Sequence, residues 1–268
     1  MPIEFKRSWN NEEVESFRDS WVRFVETEML PQDAEARRRG HVGHALWRRA
    51  GELGFLCVDI PEEWGGAGGD FRHEAVLHEE MARRALSGMS IGVHSIAAHY
   101  LLNHGTEDQK RRYLPRLAKG ELIGAIAMTE PGAGSDLQAI RTRAQRHGNQ
   151  YAINGSKTFI SNGFLAGVVV VVCKTDPSER ARGIANLLNR FAVGRRHYRH
   201  RTVAFECPRI QESARRHGDS RCTGGGEMTF TKVEANQHIC IIGTPLTPSP
   251  ASAAARNIPR SSQHRGGA

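Results

Sequence analysis

The hydrophobic periodicity of this chain changes once, near Gly120. Before that residue, apolar side chains recur every three or four positions, as at Val14, Phe17 and Trp21, which is typical of helices with one buried face. After it, short runs such as LIGAIAM, KTFIS and GVVVVVCK are typical of strands. The sequence therefore predicts an α+β protein, with an N-terminal helical bundle domain over residues 1–121 and an antiparallel β domain over residues 122–184.

Polar residues and prolines predict where several helices begin and end. Asn11 is a candidate N-cap for the first helix, and Pro31 follows its predicted end. Thr106 and Gln109 have capping-box spacing, so a later helix is expected to begin at Thr106 and to bend or end early at Pro115. The apolar helix between residues 91 and 104 is expected to lie at the centre of the bundle.

One dipeptide in the β domain carries a turn signal. Asn154-Gly155 lies between two strand-like runs, and the tight hairpin turn of this type requires two residues with positive φ. The sequence therefore predicts a hairpin at these two residues.

The charge of the chain is confined to its last third. Residues 1–184 hold 24 basic and 24 acidic side chains, whereas residues 185–268 hold 13 and 5, which accounts for the net charge of +8. Neither period is sustained after residue 185, so we expect an atypical basic tail with little packed structure there. A basic nucleic-acid binder driven by the tail is one alternative, but a poorly folded tail is the stronger interpretation of these basic residues, so no nucleic-acid partner is expected.

Composition excludes several other classes. No apolar run approaches the length of a membrane span, and the first residues lack the apolar core of a secretory signal, so a cytoplasmic location is expected. An odd number of cysteines without a C-x-x-C pair indicates neither a disulfide framework nor a zinc site. His94 and His99 are five residues apart and are interpreted as core or surface histidines, with no metal expected.

Three blocks in order resemble the acyl-CoA dehydrogenase family. They are IPEEWGGAGGD, then HGTEDQKRRYLPRLAKGELIGAIAMTEPGAGSDLQAIRTRA, then YAINGSKTFISNG. The stretch DLQ after PGAGS and the stretch FISNG are most similar to the long-chain branch of that family. The resemblance covers about residues 10–184.

The resemblance implies an FAD site built from two strands. Met128 backbone groups and the Thr129 hydroxyl would meet the pyrimidine edge of the flavin, Phe159 would lie against the ring, and Ser161 would lie close to flavin N5. Ser135 would face the acyl-CoA substrate. Gly132 and Gly134 would let the loop pass close to the cofactor and the substrate, because they have no Cβ atom to clash. The cofactor-binding residues implied are Ile126, Ala127, Met128, Thr129, Phe159, Ile160 and Ser161.

The resemblance also implies a reaction and partners. In this family, a glutamate removes an α-proton of an acyl-CoA thioester while the β-hydride passes to flavin N5. An electron-transfer flavoprotein or a similar acceptor then takes the electrons, and family members form homotetramers. No catalytic residue of this chain is assigned, because the glutamate belongs to a C-terminal helical bundle of the family.

The familiar pattern stops near residues 181–184. We therefore expect an incomplete β domain with an exposed edge at GVVVVVCK, no C-terminal helical bundle, and a truncated chain that is weakly active or inactive. An out-of-frame gene end would produce the same loss of periodicity and the same jump in charge. The alternative function is a non-catalytic remnant that binds flavin, acyl-CoA or a related subunit.

Overall fold

The fold is a set of helices followed by a mixed β-sheet, in a computed structural model that describes residues 9–147, 150–178, 183–190, 203–206, 226–234 and 241–242. The helices are α1 Glu12–Phe24, α2 Leu30–Arg39, α3 His44–Glu52, α4 Phe71–Arg83, α5 Ile91–His104 and α6 Glu107–Ala118, with 3-10 turns at Glu62–Trp64 and Leu137–Ala139. The strands are β1 Gly124–Ala127, β2 Arg143–His147, β3 Gln150–Ile160, β4 Val168–Lys174, β5 Ile184–Arg190, β6 Val203–Glu206, β7 Gly226–Glu234 and β8 Ile241–Ile242. The predicted order of helices and then strands is confirmed.

The sequence predicted that the first helix ends before Pro31, but the helical structure continues past this residue. A π-turn, Val25–Met29, joins α1 directly to α2, and Pro31 occupies the first turn of α2. Proline in a regular helix would clash with the carbonyl four residues earlier, and the wider π-turn relieves that crowding. The chain therefore stays helical from Glu12 to Arg39.

The predicted caps are confirmed, but the predicted early end of the helix at Pro115 is wrong. The Asn11 side chain accepts a hydrogen bond from the Val14 N–H, and Thr106 and Gln109 form a reciprocal capping box at the start of α6. Helix α6 continues through Pro115 to Ala118. Pro115 removes the N–H that would bond to the Arg111 carbonyl, but only three helical residues follow it, so the loss falls close to the end of the helix.

The sheet is mixed, and β4 lies inside it. The strand order is β6-β7-β3-β2-β4-β5-β8, and β1 pairs with β4 in parallel. Strand β5 pairs with β4 along its whole length in the antiparallel sense, so GVVVVVCK is not the exposed edge that the sequence predicted. The sheet was also predicted to be antiparallel, and the parallel contacts of β4 with β1 and β2 depart from that.

Part of the predicted basic tail belongs to the sheet. The sequence predicted little packed structure after residue 185, whereas β5 to β8 form strands in that part of the chain. The remaining residues of 185–268 lie outside the described residues. The domain boundaries after residues 121 and 184 stay predictions.

Asn154 and Gly155 do not form a hairpin turn. Strand β3 runs through both residues, with a register shift against β7 at this point, and the β2–β3 hairpin closes near His147 and Gln150 instead. A Cβ atom on Gly155 would lie 2.6 Å from the Thr142 Cα atom. The glycine therefore permits a close approach of two strands rather than a turn.

Helix α5 joins the helices to the sheet. Leu101 of α5 and Leu117 of α6 share one buried cluster with Val168 and Val170 of β4. The predicted central position of α5 holds for one face only, since Ile96 on its other face is half exposed. Within the described ranges, every helix is too short or too polar to traverse a lipid bilayer.

Candidate flavin-binding wall

The structure places the two segments implied by the sequence side by side. The Thr158 N–H donates a hydrogen bond of 2.9 Å to the Thr129 carbonyl, and the Thr129 hydroxyl donates to the Thr158 carbonyl. These paired contacts hold residues 126–130 against residues 157–161. We call the surface formed by residues 126–129 and 159–161 the wall.

Phe159 is the most exposed large side chain of the wall. Its side chain is 86% exposed, and its backbone has a φ of 58°, in the left-handed region that non-glycine residues rarely adopt. The pairing of β3 with β7 shifts register between Lys157 and Ile160, so a bulge turns Phe159 out of the sheet. The local strain presents an aromatic ring to the outside, as backbone strain at binding sites often does.

Other residues of the wall offer backbone rather than side chain. Ala127 and Ile160 are buried in the sheet core, so a ligand on the wall could meet only their main-chain atoms. Ile126 and Met128 are partly buried against neighbouring apolar clusters. Thr129 and Ser161 are partly exposed and carry the hydroxyls of the wall.

The loop after β1 is ordered by its own backbone. Glu130 and Ala133 exchange two backbone hydrogen bonds, which close a turn over Pro131 and Gly132, and the Asp136 carboxylate accepts from the Gln138 N–H. Among the described residues, no atom lies within 4 Å of the place where a Cβ of Gly132 or Gly134 would be. Ser135 is exposed at the end of this open loop.

A buried ion pair beneath the wall was missed by the sequence analysis. The Lys157 ammonium lies 2.8 Å from Glu130 Oε1 and is completely buried. Lys157 lies four residues after Ile153 in the same strand, so both side chains are expected on the buried face. A lysine at a buried position of a strand was the signal from which the ion pair could have been predicted. Burial alone would raise the pKa of the Glu130 carboxyl, but hydrogen bonds from Lys157 and from the backbone of Arg141 and Thr142 outweigh burial and lower that pKa.

A second missed feature anchors the wall to helix α5. The Gly124 N–H, at the start of β1, donates to His94 Nδ1 over 3.0 Å, and the Gly124 carbonyl accepts from the Asn162 side chain over 3.1 Å. The Asn162 amide also donates to the Ser90 carbonyl, just before α5. Both strands of the wall are thereby tied to one end of α5.

His94 is a neutral core histidine, as its sequence context indicated. With Nδ1 accepting from Gly124, Nε2–H donates to the Leu117 carbonyl over 3.2 Å, which fixes the tautomer. Burial lowers the pKa of His94 to about 4. His99 pairs instead with Asp59 over 3.1 Å.

Two family models match the chain. Residues 11–121 match the N-terminal domain of acyl-CoA dehydrogenases, and residues 125–204 match the middle domain. The first of these ranges contains all six helices, and the second begins at β1 and includes the wall.

Curated and solved relatives agree with these matches. The mitochondrial long-chain specific acyl-CoA dehydrogenase of Sus scrofa is 44% identical over 179 residues, covering 66% of this chain and 42% of that relative. An acyl-CoA dehydrogenase structure from Geobacillus kaustophilus is 35% identical with a TM-score of 0.74, covering 86% of this chain and 58% of that one. A glutaryl-CoA dehydrogenase from Mycobacterium smegmatis in complex with FADH2 is 25% identical with a TM-score of 0.70, covering 84% of this chain and 54% of that one. The chain thus spans less than half the length of the curated relative.

Proposed function

This chain belongs to the acyl-CoA dehydrogenase family, and on that premise we propose that it binds FAD and serves the α,β-dehydrogenation of acyl-CoA thioesters. The observation that carries the proposal is the wall itself. Two adjacent segments leave the Phe159 ring uncovered, at the place where the family resemblance puts a flavin ring.

The residues of the wall fit a flat, partly polar ring system. Phe159 offers an aromatic face for stacking, and the Ser161 hydroxyl can donate or accept a hydrogen bond. The Thr129 hydroxyl, whose proton goes to the Thr158 carbonyl, can accept one. Ala127 and Ile160 expose no side chain that would fill the same space. The open positions beside Gly132 and Gly134 leave room for a ligand to approach the backbone.

The chemistry of the reaction divides between cofactor and protein. Bound FAD supplies the hydride acceptor, flavin N5, for the hydride that leaves the β carbon of the thioester. The residues of this chain would bind and orient: the wall would hold the flavin, and Ser135, which is exposed on the loop, would contact the acyl-CoA.

Glu130 is poorly suited to be the base, although it is the carboxylate next to the wall. Its side chain is buried in an ion pair with Lys157 and accepts two backbone hydrogen bonds, so it is held away from any substrate. We therefore propose that no base is supplied from this part of the described chain and that the isolated chain turns over weakly. This observation also favours the second candidate function, binding of flavin or acyl-CoA without turnover.

Partners and compartment remain proposals that rest on the family. An electron-transfer flavoprotein or a similar acceptor would take the electrons, and the assembly would be a homotetramer. The cytoplasm stays a prediction from the sequence, and the Sus scrofa relative is named as mitochondrial.

A titration and an assay test these proposals. The purified chain is titrated with FAD under visible absorbance and fluorescence, and acyl-CoA substrates of several lengths are then assayed with an artificial electron acceptor. We expect saturable FAD binding and slow or undetectable turnover. Robust turnover would contradict the proposed weak activity of the isolated chain, and absence of FAD binding would contradict the proposed function.

A further inference from the structure

The buried pair of Glu130 and Lys157 joins the two segments of the wall from behind. Glu130 directly follows Thr129 on one segment, and Lys157 directly precedes Thr158 on the other. We propose that Glu130 and Lys157 are positioning residues that hold these two segments in the register needed for a ligand on the wall. The part that concerns flavin rests on the proposed function above.

Lys157 bonds to the first segment at two points. Its ammonium donates to the Met128 carbonyl and to Glu130 Oε1, each over 2.8 Å. Because the side chain is completely buried, water cannot replace either partner. Lys157 therefore fixes residues 128–130 relative to β3.

Glu130 extends the connection to a third segment. Its Oε2 atom accepts from the Arg141 N–H over 2.6 Å, and its Oε1 atom accepts from the Thr142 N–H over 3.0 Å. One carboxylate thus satisfies two backbone donors at the entrance to β2 as well as the lysine. The loop of residues 131–140, which contains Ser135, is held at both ends by this side chain.

The chemistry explains why both members of the pair are needed. A buried ion pair contributes little to stability compared with apolar residues of the same volume, but the loss of one partner leaves an uncompensated charge. Here the loss of Lys157 would also leave the Met128 carbonyl without its donor, and the loss of Glu130 would leave two backbone N–H groups without acceptors. The pair therefore contributes more to the relative position of the two segments of the wall than to the stability of the fold.

Neither side chain can contact a ligand on the wall directly, since both are buried behind it. Loss of the pair should therefore weaken binding by displacing Thr129 and Thr158. Amide exchange reports such a displacement, because the N–H groups of Thr158, Arg141 and Thr142 all depend on it.

Hydrogen exchange of the full chain without flavin tests the positioning. In Lys157→Met and in the milder Glu130→Gln, peptides covering residues 139–143 and 156–160 should exchange at least about 10-fold faster, while peptides from α5 change little. Glu80→Gln is the matched control, since Glu80 is a similarly buried carboxylate paired with Arg18 and Arg84 in the helices. Unchanged exchange in both wall variants, or equal acceleration in Glu80→Gln, would overturn the proposal.

Flavin binding gives a second, separable result. We expect the dissociation constant for FAD to rise about 10-fold in Lys157→Met and in Glu130→Gln, and to stay within about twofold in Glu80→Gln. If the unaltered chain binds FAD and the wall variants bind equally well, the positioning role is wrong while the proposed function stands. If the unaltered chain fails to bind FAD, the proposed function is wrong, and the exchange measurement still decides the positioning of the segments.

Discussion

At the scale of single residues, the exposure of Phe159 is the clearest departure from ordinary folding. A large aromatic side chain is usually buried, and a left-handed backbone is unfavourable for it, yet Phe159 has both features. The bulge in β3 produces both at once, because it reverses the alternation of side chains between Lys157 and Ile160.

Phe159→Ala should weaken FAD binding with little effect on stability. Aromatic stacking contributes about 0.5–1.5 kcal/mol, which corresponds to an affinity about 2- to 10-fold lower. Phe159→Trp should keep the affinity, since it keeps an aromatic face. Fluorescence titration with FAD measures both.

Phe71 provides the control for this substitution, because it is 78% exposed and lies at the start of α4, in a different element. Phe71→Ala should bind FAD as the unaltered chain does. Equal affinity of Phe159→Ala and the unaltered chain would mean that the ring does not stack on the flavin.

Gly155 is required by close packing, and Gly155→Ala should destabilise the protein by about 1–3 kcal/mol. The added Cβ would overlap Thr142, which directly precedes the adjacent strand β2, and would lie 2.6 Å from its Cα atom. Backbone cannot move aside as a flexible side chain can. Urea unfolding measures the loss. Gly132→Ala is the control, since the added Cβ would meet no atom of the described residues within 4 Å. A loss of the same size there would point to a general effect of alanine.

At the scale of elements, His94 couples α5 and α6 to the start of β1. The groups facing its ring are the Cys57 thiol at 3.6 Å, the Leu117 carbonyl, the Gly124 N–H and the Trp47 ring, and the charge of Glu74 acts on it as well. The neutral form makes one donated and one accepted hydrogen bond. A protonated ring would present a donor to the Gly124 N–H and would break this contact.

The pKa of His94 predicts a loss of stability in acid. Its value falls from an ordinary 6.5 to about 4 on folding, so the unfolded chain binds the additional proton between these pH values. The stabilisation is complete above about pH 6.5 and is lost as the pH falls toward about 4, up to a total of about 3 kcal/mol. Urea unfolding at several pH values should therefore show a steeper decline for the unaltered chain than for His94→Gln, which cannot titrate.

The unaltered chain and His94→Gln share all other titrating groups. The difference between their slopes of unfolding free energy against pH therefore reports His94 alone. Parallel curves for the two proteins would show that His94 does not contribute to the pH dependence. A lower stability of His94→Gln with a shallower decline toward acid pH would agree with the prediction.

At the scale of the whole molecule, helices and sheet share a core. Leu101 and Leu117 pack in one cluster with Val168 and Val170, so the helical part cannot loosen without exposing β4. Leu101→Ala should lower the free energy of unfolding by about 2–5 kcal/mol in both parts together. Tryptophan fluorescence reports the helical part, since all four tryptophans precede residue 65, and hydrogen exchange of β4 reports the sheet.

Leu53→Ala serves as the comparison, because Leu53 is partly exposed at the end of α3. This substitution should lower the free energy of unfolding much less than Leu101→Ala does. A shift of the fluorescence transition by Leu101→Ala without faster exchange in β4 would contradict a shared core. Such a result would mean that the two parts unfold independently.

Much of the helical part could be read from the sequence, because its signals are local. The cap at Asn11 and the capping box of Thr106 and Gln109 depend on residues within one turn, and both were confirmed. Local rules failed at Pro31 and Pro115, since tolerance of proline depends on the turn around it. They failed again at Asn154-Gly155, where the partner strand decided the outcome.

The sequence by itself determined the family and the order of helices and strands, since these follow from contiguous motifs and from local periodicity. The two segments that form the wall were implied by the family resemblance. Only the tertiary structure decided that β4 is covered by β5, that Phe159 turns outward, and that Lys157 and Glu130 pair beneath the wall. The reason is physical: a buried charge is stable only beside a partner, and Lys157 lies 27 residues from its own. Contacts across such separations depend on strand register, which only the folded sheet establishes.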